Sequence, residues 1–159
     1  MRNRILVLGL LALPLFVSAQ TNEQFADMND TIEMVRSMVA LERKAVITEN
    51  LRLSSEEGAD FWQIYDVYAA EKKRINDRLI KVITDYAANF ENLSDELAIS
   101  LVNDSVAVQS DLLKLRKKYL KKFKKALSPK TLARFYQIEN KLDAVSNVTV
   151  AQGIPLVTN

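Results

Sequence analysis

The groups that could do chemistry in this chain are carboxylates, lysines and arginines. The 159 residues hold 22 basic and 20 acidic side chains but no histidine and no cysteine. Thiol catalysis, disulfides and a Ser-His-Asp set are therefore excluded, and the usual general base and commonest transition-metal ligand are absent. Met28, Met34 and Met38 stand close together, and Met34 and Met38 are one helical turn apart. Two thioethers on one face are a fragment of a soft-metal site. With no imidazole or thiolate to complete it, adaptable apolar packing is the expected role. The pairs Glu56/Glu57 and Asp95/Glu96 have the composition of an acid–base pair or a hard-cation site, yet both sit where helices begin and capping accounts for them. Lys72 interrupts an apolar stripe between Tyr68 and Ile75, with Asp111 within reach, and is expected to be a paired or snorkelling structural lysine. There is no glycine-rich phosphate loop. No catalytic residue, cofactor or metal is expected.

The densest charge is the run Lys114 to Lys125, in which eight of twelve residues are cationic and Tyr119 and Phe123 are interleaved. Such a pattern is compatible with nucleic acid, with acidic or unfolded protein partners, with weak contact to an anionic surface, or with a solvated face paired to acids on a neighbouring helix. The candidate partner-binding residues are Arg116, Lys117, Lys118, Lys121 and Lys122.

These groups are positioned by helices. Between Gln20 and Gln152 the chain has one glycine, Gly58, and one proline, Pro129, far too few breakers for a β protein of this size. Three Leu-Ser steps supply helix starts. Leu53-Ser54-Ser55-Glu56-Glu57 has the form of a capping box, with Ser54 and Glu57 as its reciprocal partners. Leu93-Ser94-Asp95-Glu96 places two acids at the positive end of a helix dipole. Leu127-Ser128-Pro129 puts proline at the first helical position, with Leu127 and Leu132 spaced as a hydrophobic staple. The spacing predicts an all-α protein of four helices, about 23–50, 54–91, 94–127 and 128–147, within a helical domain 20–147. A non-helical tail is expected over 148–159, which contains Gly153 and Pro155.

The second helix carries one stripe: Phe61, Ile64, Tyr65, Tyr68, Ile75, Leu79, Val82, Ile83, Tyr86 and Phe90. The third carries two. Leu101, Val108, Leu112, Leu115 and Tyr119 form one, and Ile99, Val102, Val106, Leu113 and Leu120 form another, roughly 110–120° away at 100° per residue. If the second and third helices fold back on each other, Asp60, Asp66 and Glu71 face Lys125, Lys118 and Lys114. Eight of the twelve aromatic residues then gather at one end. The second stripe of the third helix needs another cover: the first helix, the fourth, a second subunit or a client.

At the N-terminus, Arg2 and Arg4 precede an apolar run, Ile5 to Val17, and Val17-Ser18-Ala19 offers small residues for cleavage after Ala19. This is the pattern of a signal peptide, too short for a membrane span. It predicts a periplasmic or secreted protein, which argues against nucleic acid. Without a cysteine at the cut there is no lipoprotein anchor.

The Leu-Ser starts resemble the Leu-Thr-x-x-Gln motif of the Spy/CpxP-like periplasmic helical proteins, with Ser in place of Thr. Leu53-Ser54-Ser55-Glu56-Glu57 stands for one copy. Leu127-Ser128-Pro129-Lys130-Thr131, followed by Leu132, Arg134 and Phe135, stands for the second, with Thr131 where the family has Gln. The similar region, about 36–147, also contains Phe61-Trp62-Gln63-Ile64-Tyr65-Asp66-Val67-Tyr68, which is similar to a stretch in other exported helical proteins. The resemblance implies a hooked four-helix hairpin paired into a cradle-shaped homodimer, and ATP-independent chaperoning or envelope-stress sensing. The expectation is a non-enzymatic, holdase-like binder of unfolded or partner proteins. The alternatives are a sensor or adaptor for one dedicated partner, and a structural envelope protein.

Overall fold

A computed structural model of the chain describes residues 39–157. The chain divides into two units, 1–44 and 45–159. Of the first, residues 39–44 are described and are helical. The expected signal peptide, the first part of the helix expected over 23–50, and Met28, Met34 and Met38 lie outside the described residues.

The second unit is all-helical among its described residues. It begins with α1 (residues 45–51), followed by α2 (Ser55–Asn89), a 3-10 turn (Phe90–Asn92), α3 (Asp95–Ala126) and α4 (Pro129–Gly153). No described helix is long and apolar enough to cross a membrane.

Each long helix starts on one of the Leu-Ser steps. The Ser54 hydroxyl accepts from the Glu57 amide at 3.1 Å while Glu57 Oε2 accepts from the Ser54 amide at 3.3 Å, a complete capping box. Ser94 caps α3 through the Leu97 amide, and Ser128 caps α4 through the Thr131 amide with Pro129 in the first turn. The other carboxylate oxygen of Glu57, Oε1, accepts from the Ser128 amide at 3.2 Å. One side chain thus joins the start of α2 to the start of α4. These amide bonds, Ser128 first and Ser54 second, hold the Glu57 carboxyl below its ordinary range.

Along α2 and α3, contacting positions rise on one helix as they fall on the other. Phe61 meets Phe123, Tyr68 meets Tyr119, Glu71 meets Lys118 and Arg78 meets Asp111. The two helices therefore run antiparallel. α4 lies beside them parallel to α2, with Tyr68 bonded to Glu139, Lys72 to Asp143 and Tyr86 to the Pro155 carbonyl.

The core sits at the end where α1, the start of α2 and the junction of α3 with α4 converge. Ile47, Leu51, Phe61, Tyr65, Tyr68, Leu115, Tyr119, Phe123, Leu127 and Phe135 are buried together, with Leu53 and Leu132 packed against them. Beyond Tyr68 no residue of α2 is fully buried. Ile75, Leu79, Val82, Ile83, Tyr86 and Phe90 continue the stripe half-buried.

Two sequence expectations are corrected here. The segment 148–153, expected to open a non-helical tail, continues α4 to Gly153. Nothing before Gly153 breaks the helix, and the Ser146 and Thr149 hydroxyls satisfy themselves on carbonyls one turn back, Leu142 and Val145. Lys72 is paired not with Asp111 but with Glu139 and Asp143 of α4, which packs over α2 at that level.

Candidate functional site

α3 presents four different surroundings around its circumference, and the charged run Lys114–Lys125 is divided among them. The face toward α2 carries Leu101, Val108, Leu115 and Tyr119, all buried.

Toward α4 lies an ion network. Glu139 is 3% exposed. It accepts from the Tyr68 hydroxyl at 3.2 Å and from Lys72 Nζ at 3.0 Å. Lys72 also donates to Asp143 at 2.7 Å, and Arg116 donates to the same carboxylate at 2.5 Å. The Tyr136 hydroxyl donates to the Arg116 carbonyl at 3.3 Å. Burial, then the Glu139 charge, raises the Tyr68 phenol well above its ordinary value. Burial alone would lower the Arg116 guanidinium, but its bond and charge interaction with Asp143 outweigh that and raise it. Arg116 is therefore tied to α4, with its side chain partly exposed. Sequence reading missed Glu139 and Asp143. The available signal was a carboxylate four residues after Phe135 and three before Leu142, on the apolar face of α4.

On the opposite side, α3 meets α2 through Lys118, whose Nζ lies 2.7 Å from Glu71, and through the Tyr119 hydroxyl, which donates to Glu71 at 2.8 Å. Lys118 and Tyr119 lower the Glu71 carboxyl. Burial, then Glu71, pushes the Tyr119 phenol up to about 12. The sequence register placed Lys114 against Glu71. Instead Lys114 is held by Asp111 on its own helix at 3.0 Å, and Lys118, next to the buried Tyr119, reaches across. Arg78 also bonds Asp111, at 2.5 Å. Lys122 lies 4.7 Å over the Tyr119 ring. With Asp60, Lys125, Ile64 and Ala126 it lines an open hollow of about 250 Å³.

The fourth face points away from α2 and α4. Ile99, Val102, Val106 and Leu113 lie along it and are 53 to 64% exposed. This is the second sequence stripe of α3, and α1, α2 and α4 leave it open; Leu120 at its end is half-buried. At 100° per residue, Lys117 and Lys121 continue the same face toward the C-terminal end, and both are exposed. Exposed valines also occur near the end of α4, at Val145 and Val148.

Of the five candidate cations, the structure thus ties Arg116 to α4 and Lys118 to α2, sets Lys122 over a ring beside the hollow, and puts Lys117 and Lys121 in line with the open apolar row. The aromatic residues gathered at one end are core. Phe61, Tyr65, Tyr68, Tyr119, Phe123 and Phe135 are buried, and Trp62 and Tyr136 pack on them. Among the described residues no group of three or more carboxylates is placed to hold a metal ion.

No protein-family model matches the chain, and neither a curated protein nor a solved structure matches it.

Proposed function

We propose that this chain is an exported, non-enzymatic protein-binding protein that holds partly unfolded proteins without ATP. The observation that carries this reading is the open row Ile99, Val102, Val106 and Leu113 on α3, continued by Lys117 and Lys121. Monomeric proteins rarely leave a contiguous apolar face uncovered unless it meets a partner. Apolar contact would supply affinity for exposed hydrophobic segments, while the lysines speed encounter and keep the complex hydrated. Short, weak contacts along one rigid helix suit many clients rather than one.

Export rests on the N-terminal pattern, Arg2 and Arg4 before an apolar run and Ala19 at the cut. Secreted material should begin at Gln20 when its N-terminus is sequenced. The resemblance of the two Leu-Ser starts to the Spy/CpxP-like proteins supports the same reading. It extends to a hooked helical hairpin in α2 and α3, with two copies paired through their long helices.

The test is light scattering from a chemically denatured client, with and without the protein, in the absence of ATP. Suppression of aggregation at near-stoichiometric ratio is expected for several unrelated clients. Suppression of none would overturn the general-holdase reading in favour of one dedicated partner.

A further inference from the structure

The outer side of α4 carries a row of cations that the fold does not use. Lys130, Arg134, Gln137 and Lys141 follow one another in steps of four, three and four, and all four are exposed. At ~100° per residue they lie within about 60° of one another, on the side of α4 away from the buried Phe135 and Glu139. They line an open groove of about 490 Å³, to which Asn50 of α1 also contributes. Among the described residues none of the three cations has a carboxylate partner, whereas Lys72, Arg116 and Lys118 are taken up in joining helices. Residues 112–141 hold eleven basic side chains and one acid, Glu139, which is buried and bonded to Lys72. The field over the groove is therefore positive.

We propose that this groove binds an acidic amphipathic helix of a partner protein, one that presents carboxylates in the same steps of four, three and four beside an apolar edge. Lys130 to Lys141 covers roughly 16 Å at ~1.5 Å per residue, so no single phosphate or carboxylate can reach all three cations. A helix laid alongside α4 shares its pitch and can set one carboxylate against each. Arg134, inside the row, can hold a carboxylate through two parallel N–H bonds. The Gln137 amide can donate to the acid between Arg134 and Lys141. Ala133 and Ile138 flank the row in the groove, and they offer the incoming helix an apolar strip that a polysaccharide or phosphate chain would leave unused.

Exposed ion pairs are individually weak and screened by salt, so recognition comes from several pairs meeting in register. The groove shares no residue with the open row of α3. The proposal does not rest on the holdase reading, and a partner held on α4 leaves that row free.

The probe is a dye-labelled, alanine-based helical peptide with glutamates at those steps and leucines along one flank. It is titrated with full-length processed protein and followed by fluorescence anisotropy. A peptide of the same composition, its glutamates respaced around the helix, should bind about fivefold more weakly. Raising salt from about 0.05 to about 0.5 M should weaken the matched peptide about tenfold. Arg134→Gln should weaken it about fivefold, and Arg134→Glu with Lys141→Glu more than tenfold. Lys117→Glu with Lys121→Glu, on α3, should leave its affinity unchanged. All these side chains are exposed, so melting temperatures should stay level and the losses report binding. Equal affinity for the matched and respaced peptides would overturn the inference, as would a matched peptide indifferent to Arg134→Glu with Lys141→Glu. Anionic phospholipid vesicles or inorganic polyphosphate are the other arms. Binding of either through Arg134 and Lys141, with no binding of the peptide, would overturn it and give the row to that anion.

Discussion

Lys72 is the residue that most firmly joins α4 to the rest of the described fold. It bonds two carboxylates of α4 in a setting where Glu139 is almost fully buried. Removing the cation takes a charge partner from both carboxylates in a poorly solvated place, while Arg116 stays on Asp143 and the Tyr68 hydroxyl on Glu139, so the cost is about 2–3 kcal/mol. Lys72→Met should therefore lower unfolding stability by that amount in a denaturant titration. Lys81→Met, which loses an exposed pair with Asp85 one turn along α2, should change it by no more than ~0.5 kcal/mol. A second prediction concerns acid. Glu57, Glu71 and Asp111 all have folded values below their ordinary 4.5, 4.5 and 3.8. A depressed carboxyl contributes stability that is complete above its unfolded value and is lost as pH falls through the folded one. Thermal melting temperature should hold steady down to about pH 5 and fall below about pH 4. Tyr119 works in the opposite sense. Its phenol is raised from 10.0 to about 12, so its contribution is complete below pH 10 and disappears as pH rises toward 12. A pH series of melting curves should show both flanks.

At the scale of the helices, the caps were legible because their chemistry is local. Ser54 with Glu57, Ser94 and Ser128 with Pro129 need only neighbours three residues away. The bond from Glu57 to the Ser128 amide was not, since it depends on where α4 begins in space. The two stripes of α3 were readable from periodicity, but periodicity does not say which stripe is covered. That is decided by α2 taking the Leu101–Tyr119 stripe and α4 taking the side bearing Arg116. The end of α4 was misjudged because Gly153 and Pro155 drew the boundary back to position 148, although the helix needs no stop before Gly153. One strained position invites a test. Arg52, between α1 and α2, has φ of 51°, the left-handed region that glycine adopts without cost. Arg52→Gly should stabilise the protein by about 1 kcal/mol, read as a rise of a few degrees in melting temperature. Ser128→Ala should destabilise by a similar ~1 kcal/mol through loss of the α4 cap.

At the scale of the whole molecule, burial and exposure are unevenly shared. The aromatic end carries the dense core, while in the other half of the α2–α3 pair Leu101 and Val108 are buried and the remaining described apolar residues are half-buried or open. Such a division suits a protein that anchors its fold at one end and uses the remainder as surface. The basic run drew the eye in the sequence, but only part of it belongs to the open face. Arg116 and Lys118 are occupied in holding helices together, which no linear reading of charge could separate from Lys117 and Lys121. The central claim is that the open row of α3 contacts unfolded protein. It is tested most directly by Val102→Asp with Val106→Asp in the scattering assay, beside a melting curve. Both side chains are more than half exposed, so the melting temperature should move by no more than a degree or two while aggregation suppression is lost. Full suppression by the double variant would contradict the account and place the contact elsewhere on the molecule.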